Sequence, residues 1–398
     1  MTQKWLPLVA SQNNPQKYKF LFLCLTCIVI FIYYVYITTD FNACTPAANI
    51  SDPKIYYILQ WTTGEVSPFY HMGKGPSKFV QLNCPYQNCF VTDNRTYLPH
   101  IKDFDAIVFN GNDVIRMNQD QLPQERSLTQ KFVFGATESA PNRMACKAVL
   151  EKFFNWTWTY KLDSDVRWSY ILIYNLDGVE VGPKPKMEWP EEMKPIDDEE
   201  TKAVLDGKSK TAAWFVTHCT TLGGREDFVK KLKPELSKLN ITLDVYGKCG
   251  DLECPRSKAN ECYDMLKKDY YFYFSFENSF AEDYVTEKLL TALNNFAVPV
   301  VFGGADYSRF VPPGSYLNAR DLGPEKLAIT MKEIMENKTR YYDFFRWRNH
   351  FRYEQGENGR EICNICAALN DRQKAQNVDI HDHFRQWWNQ GYNSKCKN

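Results

Sequence analysis

Short apolar runs recur along the chain from about residue 54, and most of them end in polar residues or glycine. In the first half such runs predict β-strands at 55–61, 105–110, 131–136 and 168–174. In the second half, predicted strands at 211–218, 241–247, 270–276 and 297–304 alternate with helical stretches near 225–239, from about 283, and near 324–336. Strands and helices that alternate at this spacing predict parallel βαβ units, with helices on the faces of each sheet.

A stretch rich in prolines and acidic residues, 177–200, separates the two halves and is typical of a linker or a long loop. The pattern therefore predicts an α/β protein with two Rossmann-like domains that face a cleft. In open α/β sheets, ligands bind beyond the carboxyl ends of the strands. Polar residues that directly follow a predicted strand are accordingly the first candidates for a site.

An uncharged apolar run, 20–37, has about the length that crosses a bilayer. Lys4, Lys17 and Lys19 precede it and Asp40 follows, so the charge asymmetry places the N-terminus in the cytosol. A cleaved signal peptide is the alternative, but the run is longer than a typical signal-peptide core. We therefore expect an uncleaved signal-anchor.

Cysteines and glycosylation sequons agree with that topology. Of thirteen cysteines, eleven lie beyond the apolar run, which fits an oxidising compartment. Five N-x-[ST] sequons also lie beyond it, at Asn49, Asn94, Asn155, Asn240 and Asn337. The 48 basic and 48 acidic residues balance, so no global field attracts nucleic acid. We expect a type II membrane protein with a large lumenal part.

The predicted organisation has seven parts. They are a cytosolic tail (1–19), the transmembrane anchor (20–37), a stem (38–53), an N-terminal domain (54–176), a linker (177–210), a C-terminal domain (211–355) and a C-terminal segment that packs back on the N-terminal domain (356–398).

The predicted crossover at 274–290 has many polar residues directly after the end of a strand. In the helix that follows, the spacing of one set of residues predicts a buried stripe: Val285, Leu289, Ala292 and Phe296. A second set falls on the opposite side: Tyr284, Glu287, Lys288 and Thr291. A solvated helix face is the simplest interpretation of the second set. A helix N-terminus at a strand end, however, also favours the binding of phosphate, and Lys288 would add a full positive charge there.

Glu138 also follows an apolar strand, at a turn ahead of Pro141. A general base needs such a place at the edge of a cleft, where we expect partial burial to raise its pKa toward the working pH. On the sequence pattern alone, an ordinary surface carboxylate is the favoured interpretation.

Two short motifs raise the question of a metal. Asp163 and Asp165 form a D-x-D pair, and His381 and His383 flank an aspartate. D-x-D pairs are frequent by chance and the histidine pair lacks an evident third ligand, so structural aspartates and surface histidines are favoured.

The remaining cysteines allow several interpretations. Cys363 and Cys366 have the spacing of a redox motif or half a zinc site, but structural disulfides are favoured. Cys249, Cys254 and Cys262 are odd in number, so at least one needs a partner elsewhere, such as Cys219 or Cys146.

The segment FSFENSFAEDYVTEKLLTALNNFAVPVVFGG (274–304) resembles the most characteristic segment of the α1,3-fucosyltransferases that use GDP-fucose, glycosyltransferase family 10. Similar matches occur at NCFVTDNRTYL (88–98), at the Glu-Ser of 138 and 139, and at FNWTWTYKLDSDV (154–166). The resemblance spans roughly 54–370, and the cysteine cluster at 249–262 is similar to that of the invertebrate and plant members. It implies the GT-B type of fold, in which two Rossmann-like domains face a cleft.

The resemblance also implies roles for individual residues. Glu138 would be the catalytic base, and the donor-binding residues would be Arg225, Tyr246, Asn278, Tyr284, Glu287 and Lys288. We expect Cys363 and Cys366 to pair with Cys84 and Cys89.

The expected activity is inverting transfer of fucose from GDP-fucose to the 3-hydroxyl of GlcNAc, on a glycoprotein N-glycan (core or distal) or a LacdiNAc or LacNAc glycan. No metal or other cofactor is expected to be required, with Mn²⁺ or Mg²⁺ at most as a stimulator, and the protein is expected in the Golgi membrane. A non-catalytic glycan-binding relative is one alternative. A metal-dependent transferase of another nucleotide sugar is the other.

Overall fold

The computed structural model describes residues 54–62, 64–356, 359–391 and 393–396. The predicted anchor at 20–37 and the sequon at Asn49 lie outside these residues. Among the described residues, no helix combines the length and the apolarity that a membrane span requires. Residues 55–398 group into one compact unit.

The first half forms a six-stranded parallel sheet in the order β2-β1-β3-β4-β5-β6. Its strands are β1 (Tyr56–Gln60), β2 (Cys89–Thr92), β3 (Ala106–Asn110), β4 (Lys131–Ala136), β5 (Trp156–Thr159) and β6 (Val166–Arg167). Two short helices lie between them, α1 (Ser77–Gln81) and α2 (Gly111–Val114). Every residue of β3 and β4 is buried, as expected for central parallel strands covered on both faces. The strands predicted at 55–61, 105–110 and 131–136 are confirmed.

The second half forms a five-stranded parallel sheet in the order β10-β9-β11-β12-β13. Its strands are β9 (Lys210–Phe215), β10 (Leu243–Tyr246), β11 (Tyr270–Phe276), β12 (Val298–Phe302) and β13 (Leu317–Asn318). The helices of this half are α3 (Glu199–Asp206), α4 (Arg225–Lys238), α5 (Ala259–Asp269), α6 (Glu287–Asn294), α7 (Ala319–Glu336) and α8 (Lys338–Asp343). The four strands predicted in this half are confirmed, and so is the prediction of an α/β fold with parallel sheets.

A third, antiparallel sheet was not expected from the alternating pattern. It consists of β7 (Ile171–Asn175), which lies between β8 (Glu180–Gly182) and β14 (Phe351–Gln355). The run predicted as a strand at 168–174 thus belongs to this sheet. Because β8 and α3 both lie within 177–210, that stretch is not simply a loop.

The helix expected from about 283 begins later, at Glu287. Asp283 has a positive φ of 58° and Thr286 is extended, so the backbone is not yet helical there. The placement of Tyr284 on the polar face of that helix was therefore wrong, and the side chain is instead 4% exposed. Of the predicted stripe, Val285, Leu289 and Ala292 are buried, while Phe296 is only partly buried.

The C-terminal segment packs on the first sheet. Its helices are α9 (Glu361–Asn370), α10 (Arg372–Gln376) and α11 (Phe384–Trp388). Disulfides join Cys84 to Cys363 and Cys89 to Cys366, so both residues of the C-x-x-C motif bond to the first half. Phe384 and Trp388 of α11 pack against Phe134 of β4, each with ring centroids 4.9 Å apart.

Three further disulfides account for the other described cysteines. They are Cys146–Cys396, Cys219–Cys249 and Cys254–Cys262. The cluster of three cysteines thus takes its external partner from Cys219, one of the two that the sequence offered.

Candidate active site

The carboxyl ends of the two parallel sheets meet through short polar contacts. Ser139, three residues after β4, accepts a hydrogen bond at Oγ from Ser279 Oγ over 2.5 Å, and Ser279 follows β11. Asn142 Nδ2 donates to Asn278 Oδ1 at 3.4 Å. The two sheets therefore meet at the edge where open α/β folds bind ligands.

Glu138 lies at this junction with three hydrogen-bond donors on one carboxylate oxygen. Its Oε1 accepts from Ser139 N at 2.8 Å, Asn142 Nδ2 at 3.0 Å and Tyr284 Oη at 3.1 Å. Burial raises the pKa of Glu138, but these hydrogen bonds outweigh it and hold the pKa below its ordinary value. The expectation of a raised pKa was wrong, because the site stabilises the charged form.

Tyr284 is one of those donors. Its ring is buried against Tyr160, with centroids 4.9 Å apart. Burial, together with nearby acidic groups, raises the pKa of Tyr284 well above its ordinary value, so the hydroxyl keeps its proton and donates a hydrogen bond to Glu138. The structure thus places this predicted donor-binding residue on the carboxylate rather than on the cavity described next.

A cavity of about 320 Å³ opens beside this junction on the second sheet. Four of the six predicted donor-binding residues line it, and they are Arg225, Asn278, Glu287 and Lys288. Asn278 is thus shared: it lines the cavity and accepts from Asn142, which also binds Glu138. A single side chain, Asn142, bridges the cavity wall and the candidate base.

Lys288 is held at the cavity by a buried carboxylate that the sequence did not single out. Its Nζ lies 3.1 Å from Glu277 Oε2 and 2.7 Å from Thr286 Oγ1. Glu277 is 1% exposed and also accepts from Thr286 N at 2.9 Å. Although burial alone would lower the pKa of Lys288, the carboxylates of Glu277 and Glu287 raise it. The cavity therefore presents a charged ammonium in the first turn of α6, where the helix dipole is also positive.

Arg225 begins α4 and is 4% exposed. Its Nη1 donates to Phe276 O at 2.6 Å and its Nη2 to His218 O at 3.3 Å. These bonds fix the guanidinium at the end of β11. Tyr246, in contrast, is not brought to the cavity: it is 6% exposed, and its hydroxyl pairs with that of Tyr270 at 2.7 Å in the core.

The residues considered for a metal have other partners. Asp163 Oδ2 accepts from Trp387 Nε1 at 2.8 Å, and Asp165 Oδ2 accepts from Thr157 and contacts His381 Nε2 at 2.9 Å. His381 is therefore paired and only a quarter exposed, contrary to its expected place on the surface. Over the described ranges, no group of three or more His, Cys, Asp or Glu side chains has a metal-binding arrangement.

Three described sequons are exposed, at Asn94, Asn240 and Asn337. Asn155 is different, because it is 6% exposed and its Nδ2 donates to Asp379 O at 3.0 Å. A glycan attached to that nitrogen would displace the bond and meet packed protein. The structure therefore argues against the predicted glycan at Asn155.

Two family models match the chain. One is described as "Fucosyltransferase, N-terminal" and matches residues 53–171, and the other as "Glycosyltransferase family 10 (fucosyltransferase) C-term" and matches residues 205–387. The chain belongs to glycosyltransferase family 10, the fucosyltransferases. The protein is thus a glycosyltransferase, and the resemblance of its 274–304 segment is confirmed.

Relatives of known name give the same family. An alpha-(1,3)-fucosyltransferase C of Drosophila melanogaster is 37% identical over 77% of this chain and 71% of its own. An alpha-(1,3)-fucosyltransferase of Caenorhabditis elegans is 32% identical over 83% of this chain and 69% of its own. A 3-galactosyl-N-acetylglucosaminide 4-alpha-L-fucosyltransferase of Bos taurus is 31% identical over 73% and 72%.

Proposed function

We propose that this family 10 enzyme is an inverting α1,3-fucosyltransferase, which moves fucose from GDP-fucose to the 3-hydroxyl of a GlcNAc residue. One observation carries the proposal: Asn142 joins Glu138 to Asn278 on the wall of the cavity that holds Lys288 and Arg225. The candidate base and the cationic cavity are thereby connected through one side chain. The names of the relatives from fly and nematode support the α1,3 linkage, and that of the bovine relative supports a GlcNAc-containing acceptor.

The cationic side of the cavity suits a diphosphate leaving group. When the bond between fucose C1 and the phosphate oxygen breaks, its electron pair leaves with GDP and negative charge develops on the diphosphate. Lys288 and the N-terminus of α6 are fixed before the reaction, so they stabilise this charge without reorganisation. Arg225, whose Nε pairs with Glu226 at 3.1 Å, adds a second fixed cationic side chain.

Glu138 suits the acceptor side. Its lowered pKa keeps the carboxylate ionised at neutral pH, and Oε2 takes none of the three bonds that fix Oε1. We assign to this oxygen the proton that leaves the acceptor hydroxyl as it attacks C1 from the face opposite GDP. Attack from that face inverts the configuration at C1.

The test is a transfer assay with residues 55–398, which form one compact unit. GDP-fucose is supplied with N-glycans that carry core or distal GlcNAc, with LacdiNAc and with LacNAc. We expect GDP release and an α1,3-linked product with at least one acceptor. Absence of GDP release with every acceptor would reject the proposal, and that result with intact glycan binding would favour a non-catalytic relative.

We also propose the Golgi membrane as the location, with 20–37 as the anchor, and turnover without a required metal. The cystines of the described region support passage through an oxidising compartment. The partners of Asp163 and Asp165 support independence from a metal. We expect turnover to persist in excess chelator, whereas complete loss that Mn²⁺ restores would favour the metal-dependent alternative.

A further inference from the structure

One wall of the cavity of about 320 Å³ is formed by a short segment that the Cys254–Cys262 disulfide closes into a loop. A 3₁₀ turn, Arg256–Lys258, begins this segment and leads directly into α5. Two side chains from it, Arg256 and Tyr263, line the cavity. Neither residue takes part in the function proposed above, so their place on the wall needs an explanation of its own.

Arg256 differs from the other arginine on the cavity. Arg225 is buried and bonded to two backbone carbonyls, whereas Arg256 is exposed. Within the described part of the chain, no hydrogen bond or ion pair engages the Arg256 guanidinium. A guanidinium carries five N–H donors in a planar fork, and at Arg256 these remain available to a ligand.

Tyr263 belongs to an aromatic group on the same wall. Its ring lies 6.4 Å from that of Phe215, with an angle of 30° between the planes, and Phe215 lies 5.2 Å from Tyr273. All three rings line the cavity, and Tyr263 is 37% exposed. Exposed aromatic faces stack on nucleobases. The aromatic wall therefore suits the base of the donor, while Lys288 on α6 suits its diphosphate.

We propose that Arg256 binds the guanine base of the donor through O6 and N7, with the base stacked on Tyr263. The inference rests on the proposed use of GDP-fucose. Arginine meets these two acceptors of guanine with two parallel hydrogen bonds. Adenine presents an amino donor in place of O6, so the same guanidinium faces a donor and loses one bond. Arg256 therefore makes the cavity selective for guanine.

The disulfide is what places the two side chains. Arg256 lies two residues after Cys254, and Tyr263 directly follows Cys262. Cys262 is 6% exposed, so this end of the disulfide lies on the buried side of α5. The bond therefore holds the exposed turn that carries Arg256 close to the helix that carries Tyr263.

Dissociation constants for GDP and ADP, measured by titration calorimetry, test this inference. Arg256→Ala is expected to weaken GDP binding about tenfold, the scale of a bidentate arginine–guanine contact. ADP binding should change little. Arg256→Lys keeps the charge but not the fork, so it should also lose the preference for GDP.

The matched control is Lys258→Ala, because Lys258 lies in the same turn but pairs with Glu261 and does not line the cavity. This variant should bind both nucleotides as the wild type does. Unchanged GDP binding by Arg256→Ala would overturn the inference, and so would equal losses for GDP and ADP, which would assign Arg256 to the phosphates. In both cases the proposed function would stand. A wild-type protein that binds no GDP would reject the proposed function together with this inference.

Discussion

Two glutamates follow central strands of the two sheets, and their surroundings are opposite. Glu277 directly follows β11, is 1% exposed and pairs with the ammonium of Lys288. Glu138 lies two residues after β4, is partly exposed and is held by neutral donors on one oxygen. At Glu277 the negative charge of the carboxylate is balanced by the neighbouring ammonium within the fold. At Glu138 hydrogen bonds stabilise the charge, and one carboxylate oxygen remains for a substrate.

The two carboxylates have different roles: Glu277 positions Lys288, whereas Glu138 is the candidate base. Burial raises the pKa of Glu277, and the positive charge of Lys288 opposes that shift. Removal of either partner leaves the other without its counter-charge in a buried place. At Glu138 the carboxylate is kept ionised by hydrogen bonds that do not involve a cation. We therefore expect changes at Glu277 to act first on stability and changes at Glu138 to act on turnover.

Glu277→Gln should have the largest effect on stability. It leaves Lys288 without its buried partner, and breaking such a pair costs about 3 kcal/mol of unfolding free energy. Denaturant unfolding measures the loss. Glu287→Gln is the control, because Glu287 also lies 3.3 Å from Lys288 but its side chain is 49% exposed. The control should lose less than about 1 kcal/mol. Equal losses in the two variants would remove the distinction between a structural and a surface partner.

Lys288→Met should weaken GDP binding about tenfold or more, since a hydrogen bond to a charged group is lost. It also strands Glu277, so the protein should lose stability. The double variant Glu277→Gln with Lys288→Met removes both charges and is expected to recover part of that stability but none of the GDP affinity. Thermal unfolding and GDP titration read the two effects separately. Recovery of GDP binding in the double variant would show that Lys288 acts only through folding.

Asn142→Ala should have a smaller effect, centred on the pH profile. The variant loses one of the hydrogen bonds that lower the pKa of Glu138, so that pKa should rise. Because the base acts when ionised, kcat/KM falls as pH drops through this pKa, and the acid limb should move to higher pH. Because the carboxylate stays ionised at neutral pH, the loss of kcat/KM should be smaller there than on the acid limb. An unmoved acid limb would mean that Glu138 does not set it.

The sequence predicted the strand ends well and the local backbone after them less well. Glu138 could be predicted because it stands just beyond a strongly apolar strand, and Lys288 because it lies at the start of the helix that follows such a strand, where the topology puts ligands. Tyr284 was misplaced because the positive φ of Asp283 delays the helix, and periodicity does not detect a single residue of that kind.

Other residues depended on contacts between distant parts of the chain. Asn142 bonds to Glu138 on its own turn and to Asn278, which is 136 positions further along the chain, and no local pattern marks it. Arg256 reaches the cavity through a segment whose path depends on a disulfide. Asn155 matches a sequon, yet its amide is used inside the fold. Only the packed structure distinguishes these cases.

The most direct test of the account is turnover and GDP binding by Glu138→Gln. Glutamine keeps the shape of the side chain and can still accept hydrogen bonds at its carbonyl oxygen, but it cannot take up the acceptor proton. We predict that kcat/KM falls by about a thousandfold, the scale of general base catalysis, while the dissociation constant for GDP and the unfolding free energy change little. Turnover close to that of the wild type would contradict the assignment of Glu138 as the base.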